Sequence, residues 1–425
     1  MFTHGPLRSR PFRYVWGGET LSMVGDAAYQ IVFIWLVLSI SDSPAVLAAV
    51  LVATGIPRGV LLLVGGAVTD RFSPRAVMLG SHLVRGVLLT ILTVLAASGG
   101  LRVWHFFAIG IAFGIADAFF WPASGSIVPS LVREPDLPRA NALIGVAEQA
   151  SGFVGPILGG VLLTTTSSAF ALAFNAATFF VAALTLLAAP KASGAPVQDT
   201  RYSVAQLLRE VRGGLAHAGR NTEVRMVLLL ISAATLSYSG LFAVGLPTLA
   251  GRFPDGPIVL GVMVTAWGLG QLVGATSASV TGLPRRWGLL IIAMAIVEGT
   301  CFAVLGFAPH YLVAVALLAV LGIGVAYSTD VALPTFIQTR TPPNMLGRVN
   351  AVINLPRVVL EPVSIAAMGA LAVLDVRWTF ALAAVPMLLV GIGLATSATA
   401  RRLSTSTPQA LDTDLPQRLA VTVSP

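Results

Sequence analysis

Gly65-Gly66-Ala67-Val68-Thr69-Asp70-Arg71-Phe72-Ser73-Pro74-Arg75 is the densest polar interruption near the start of the chain, and apolar runs too long for a globular core flank it on both sides. A membrane-spanning helix needs roughly 20 mostly apolar residues. On that rule the chain holds twelve spans, at about 14–40, 44–65, 76–97, 102–127, 141–164, 169–189, 226–249, 258–279, 288–307, 311–337, 350–373 and 379–398. Composition agrees: 56% hydrophobic residues, 10% charged residues and a mean hydropathy of +0.86 over 425 residues exceed what a soluble domain could hide from water. The chain is expected to be an all-α polytopic membrane protein. Its first apolar run, 14–40, is too long for a signal-peptide core and contains Glu19 and Asp26, so a retained first helix is expected there.

The basic residues set the orientation. With the N-terminus in the cytoplasm, twenty Arg and Lys fall on the inner side, three (Arg102, Arg252 and Arg377) fall outside, and Arg58, Arg85 and Arg357 lie within spans. So large a bias puts both termini and the long connector after the sixth span in the cytoplasm. The net charge of +8 is therefore a topology signal, and its scatter gives no patch for nucleic acid. Within the connector, Val204, Leu207, Leu208, Val211 and Leu215 recur at helical spacing behind a Ser203/Gln206 capping box, as in a helix lying on the inner leaflet. The tail from Leu403, rich in Ser, Thr, Pro and Asp, is expected to be disordered.

The chain also repeats itself. Arg139-Ala140-Asn141-Ala142 opens the fifth span and Arg348-Val349-Asn350-Ala351 the eleventh. Upstream, Gly114, Asp117 and Pro122 in the fourth span are matched in order by Gly324, Asp330 and Pro334 in the tenth. A duplicated unit is expected, with one half over 1–190, a linker over 191–225, a second half over 226–402 and a tail over 403–425. Transporters are built so, with the binding site near mid-membrane between the halves.

An ionisable group inside a span is costly and needs a functional or structural reason. Glu19, Ser22, Asp26, Gln30 and Phe33 share one face of the first helix, and Gly110, Phe113, Gly114, Asp117 and Trp121 share one face of the fourth. Polar stripes with an acid at mid-depth suit a water- or substrate-filled cavity, and equally a hydrogen bond to a neighbouring helix. Asp26, Asp117 and Asp330 are the proton-carrying candidates, and Gln30, Phe33, Phe113, Trp121, Phe242 and Tyr327 the cavity candidates. Arg85 is expected to pair with Asp117 or Asp26, and Arg357 with Glu361 four residues on. Glu148 and Glu298 have no partner legible in the sequence, and Cys301 reads as core filler. In the fifth span, Gly155, Pro156, Gly159 and Gly160 provide the small-residue spacing that lets helices pack backbone to backbone.

Gly66, Asp70, Arg71 and Arg75 fit G-x-x-x-D-R-x-x-x-R, which resembles the loop between the second and third helices of major facilitator superfamily transporters, with Ser73 where a second glycine is usual. Gly155-Pro156-x-x-Gly159-Gly160 is similar to the fifth-helix motif of exporters in that superfamily. With Ser22-x-x-Gly25-Asp26, Pro57-Arg58, Arg85, Trp121-Pro122-Ala123, Pro129 and Ala140-Asn141-Ala142, the chain resembles the drug:proton antiporter branch that contains macrolide-efflux and enterobactin-exporter proteins. That resemblance implies a multi-pass bacterial inner-membrane protein acting as a monomer without cofactor. It would alternate between inward-open and outward-open states, driven by protons, with Asp70 and its arginines latching the cytoplasmic side. Many such antiporters carry an arginine in the fourth helix and this chain has none, so coupling to another ion, or none, stays open.

The only lysine, Lys191, is followed by Ala192, so there is no G-K-[ST] phosphate loop for an ATP-driven pump. No G-x-S-x-G or H-E-x-x-H constellation marks a membrane enzyme, and short connectors leave no room for a receptor's or scaffold's outer domain. Aromatic residues beside acids suit a lipophilic compound, such as an antibiotic, better than a sugar. Proton-coupled uptake of a small metabolite is the remaining rival to export.

Overall fold

The computed structural model describes residues 5–189, 222–281, 286–326, 333 and 346–402, with backbone alone over 63–71, 222–224 and 346–352 and at 287, 354, 399 and 402. Tyr327, Asp330, the amphipathic helix expected from Ser203 and the tail from Leu403 lie outside the described residues. The apolar runs form α1 (Arg10–Ser41), α2 (Pro44–Arg71), α3 (Pro74–Ala97), α4 (Val103–Leu131), α5 (Leu137–Thr165) and α6 (Ser168–Ala188). After the linker, α7 runs over Thr222–Gly240 and passes through a π-turn at Leu241–Gly245 into Leu246–Ala250. Then follow α8 (Gly256–Thr281), α9 (Trp287–Leu305), α10 (Tyr311–Val325), α11 (Leu346–Ala372) and α12 (Val376–Thr396). Eleven of these are long and apolar enough to cross a membrane, and α10 is apolar and 15 residues long within its described stretch.

Caps explain where the ends differ from the hydropathy bounds. The Ser9 hydroxyl accepts from the Phe12 N–H and Pro11 occupies the first turn, so α1 starts before its apolar run does. The helical backbone of α2 continues through Gly66 and Asp70 to Arg71, which shortens the expected loop to Phe72-Ser73. There the Ser73 hydroxyl accepts from the Ala76 N–H and Pro74 opens α3. The serine in the glycine's place is thus a helix cap.

The helix contacts carry the duplication into three dimensions. In the first set α2 packs on α4, α1 on α5 and α6, and α3 on α6. Six helices on, α8 packs on α10, α7 on α11 and α12, and α9 on α12. The two sets meet where α5 touches α8 and where α2 touches α11, again a pair related by the same step.

Small residues make these contacts close. Gly155 faces Ala27 and Gly159 faces the Ala28 carbonyl, both on α1, while Gly160 faces the Pro257 carbonyl on α8. Gly261 of α8 answers by lying against the Pro156 carbonyl. The Thr265 hydroxyl donates to the Phe153 carbonyl at 2.8 Å, and Trp35 of α1 lies over Gly256. Gly369 of α11 packs on Ala48 of α2. Most of these contacts lie at the end of the bundle where α1 finishes and α2 begins, so the two sets are joined there.

Replacing Gly159 with leucine would drive a side chain into the Ala28 carbonyl, an overpacking that costs about 1–3 kcal/mol. Gly145, with open space around its Cα, should tolerate alanine. Thermal unfolding of the detergent-solubilised protein is expected to show a lower midpoint for G159L and an unchanged one for G145A. Equal midpoints would contradict the α1–α5 packing.

Candidate substrate cavity

A cavity of about 790 Å³ runs from mid-bundle to the end where α1 begins, the end opposite the close contacts. Its wall comes from α1 to α5 and includes every residue of the two polar stripes, from Glu19 to Phe33 and from Gly110 to Trp121. Tyr29, Phe33 and Phe113 form a ring cluster at its inner end, with centroids 5.4 and 5.5 Å apart.

The charges are concentrated around Arg85, which is 1% exposed at the junction of α1, α3 and α4. Its Nη1 lies 3.6 Å from Asp26 Oδ2 and 3.4 Å from Asp117 Oδ1. The guanidinium carbon stands 4.2 Å from the Phe120 ring centroid and 4.5 Å from that of Phe179, cation–π contacts that replace part of its lost hydration. Its Nη2 lies 3.4 Å from His82 Nδ1. A guanidinium nitrogen only donates, so His82 Nδ1 accepts and the ring proton is on Nε2. That proton is donated to Glu19 Oε1 at 2.7 Å.

The three carboxylates differ in what compensates them. Asp117 has two cations, with Arg58 Nε 3.1 Å from Oδ2, and accepts from Trp121 Nε1 at 3.3 Å. Glu19 has the buried imidazole. Asp26 shares Arg85 at the longer distance and accepts from Asn175 Nδ2 at 3.3 Å. Its side chain is 36% exposed, against 14% for Asp117 and 11% for Glu19, so Asp26 is both the least compensated and the most open to the cavity. Gly25 makes its bond to α6 possible. A Cβ there would collide with Asn175 Oδ1 and Thr178 Oγ1, which are themselves hydrogen-bonded at 2.8 Å.

The family model described as transmembrane secretion effector, of the major facilitator type, matches residues 2–419. The chain belongs to that family. Among curated relatives it is 28% identical over 326 residues to the enterobactin exporter EntS of Citrobacter koseri, covering 75% of this chain and 74% of the relative. It is 24% identical over 343 residues to macrolide efflux protein A of Streptococcus pyogenes, covering 80% and 83%. The crystal structure of nucleoside transporter NupG superposes with a TM-score of 0.66 at 14% identity, over 90% of this chain and 98% of that one. This secretion effector is thus a membrane transporter with a small-molecule substrate, and not an enzyme.

The second half of the secretion effector holds a counterpart to the Arg85 site. Gly86 abuts Phe180 of α6, and Gly299 abuts Leu388 of α12, which places Arg85 and Glu298 at equivalent points of the repeat. Glu298 is 2% exposed and accepts from the Tyr238 hydroxyl at 3.0 Å. Phe242 stacks beside Tyr238 and packs on Trp267 at 4.6 Å, in the aromatic cluster of α7, α8 and α9. The pair expected between Arg357 and Glu361 does not form: both side chains are exposed, and no ion pair among the described residues joins them. Arg75 donates to the Leu187 and Ala189 carbonyls at 3.1 and 2.8 Å, tying the α2–α3 turn to the carbonyl end of α6. The Asp70 and Arg71 side chains lie outside the described ones.

Sequence reading missed His82, Asn175 and Thr178. His82 was the most findable, one turn before Arg85 on the same helix face. His82→Leu would leave Glu19 buried without its donor and Arg85 without its acceptor, a loss of about 1–3 kcal/mol. His82→Gln supplies a donor and an acceptor. Unfolding midpoints are expected to fall for leucine and largely recover for glutamine, and equal losses would contradict the bridging role.

Proposed function

We propose that this protein is a secondary active exporter of lipophilic small molecules, antibiotics or similar metabolites, in the bacterial inner membrane, and that it exchanges them for protons by alternating access. The observation that carries the reading is the cavity itself. It is large enough for a drug-sized compound, is walled by Tyr29, Phe33, Phe113 and Trp121, and holds a carboxyl, Asp26, poised between Arg85 and open space. Two relatives named for export support the direction. The excess of inner-side arginines supports cytoplasmic termini, so that the open end faces the cytoplasm, where an exporter loads.

In this reading Asp26 is the main proton carrier and exchanges Arg85 for a proton as substrate comes and goes. Asp117, held by two arginines, is the second candidate, and Asp330 stays a candidate from its place in the repeat. The halves 1–190 and 226–402 rock as units about the α5–α8 and α2–α11 contacts, with 191–225 as tether, and one chain suffices. Gly66, Asp70, Arg71 and Arg75 form the latch at the cytoplasmic end. The grip of Arg75 on α6 supports its part in this, since a few kcal/mol of charge and helix-end contacts can hold one state and still release it.

Inverted vesicles carrying a pH gradient test the proposal. Lipophilic drugs are expected to dissipate the gradient with the natural chain, and D26N to cut that proton movement at least tenfold. Unchanged movement in D26N would move the carrier to Asp117 or Asp330. No movement with any compound would sink proton antiport and favour another ion or uptake.

A further inference from the structure

We infer that Glu148 is the charge filter of the cavity, a carboxylate that selects lipophilic cations and meets them before Asp26 does. This rests on reading the cavity as the substrate site. Glu148 lines the cavity from α5, is exposed to it, and among the described residues has no cation within ion-pair distance. It lies seven residues before Gly155, which packs on Ala27 next to Asp26. Because α1 and α5 run parallel, Glu148 is about 10 Å nearer the open end than Asp26. Trp16 lines the same cavity, its Nε1 donating to the Leu143 carbonyl of α5 at 3.2 Å. A carboxylate and an indole thus share the entry, the pairing that favours an organic cation.

The charge balance of the wall points the same way. Glu19, Asp26, Asp117 and Glu148 face two guanidiniums, Arg58 and Arg85, and both of these are already engaged by Asp117 and Asp26. Even counting the His82 imidazole beside Glu19, the described lining residues carry more carboxylates than cations. An anion entering would find no free cation among the described lining residues, whereas a cation would find Glu148.

Tetraphenylphosphonium and tetraphenylborate, ions of one shape and opposite charge, separate this filter from simple lipophilicity. Equilibrium dialysis against the full chain in nanodiscs, with empty nanodiscs subtracted, is expected to show at least tenfold tighter binding of the phosphonium. E148Q should weaken the phosphonium about tenfold and leave the borate unchanged or tighter, while E148D keeps the preference. Equal binding of the two ions by the natural chain, binding of neither, or an unchanged preference in E148Q would each overturn the inference. Proton-coupled movement of uncharged compounds with no phosphonium preference would overturn it and leave the exporter reading standing. Selective phosphonium binding with no transport in vesicles would do the reverse.

Discussion

A single guanidinium buried where three helices meet sets the terms for the first half of this transporter. Arg85 cannot lose its charge and cannot reach bulk water, so its surroundings must supply what hydration would have done. They do so with two aspartates on different helices, one imidazole nitrogen and two aromatic faces. These partners are spread over four elements, which makes the charge a tie between α1, α3, α4 and α6. The tie is also adjustable, because Asp26 is held at a longer distance than Asp117 and keeps a path to the cavity.

The rest of the bundle is built from contacts of the opposite kind. Between helices the close approaches are glycine against carbonyl, as at Gly159 on Ala28 and Gly261 on Pro156, with few polar groups committed. Such interfaces gain from dispersion and lose little by sliding. The first half is thus tied by charge, while its contact with the second, as at Gly261 on Pro156, is made largely of small apolar residues. The repeat was not kept in charge, however. Where the first half buries Arg85, the second buries Glu298 under the Tyr238 hydroxyl.

The fold was legible in the sequence because the bilayer imposes a length and polarity that no soluble core needs. The two polar stripes were legible too, since a helix puts every third or fourth residue on one face, and both stripes line the cavity. Partners across helices were not. Nothing in the spacing of Asp26 foretells Asn175 on α6, a contact that Gly25 permits by having no Cβ. Local pairing rules misled at Arg357 and Glu361, which stand four residues apart on α11 and form no ion pair with each other.

The imbalance of charge among the described lining residues offers a physical route from binding to movement in the proposed exporter. While the cavity is open, water can solvate Asp26 and Glu148, and the surplus negative charge costs little. Closing that end would remove the water, and an uncompensated charge in a sealed apolar site costs several kcal/mol. A proton on Asp26, or an organic cation beside Glu148, removes that cost. Shifting a two-state equilibrium from mostly open to mostly closed takes roughly 5.5 kcal/mol, the same order as one such charge. In the proposed exporter, occupancy by a proton or a cation would then decide whether the end closes. Both would neutralise the same described carboxylates, so each would make the other less needed, the condition for exchange rather than joint transport.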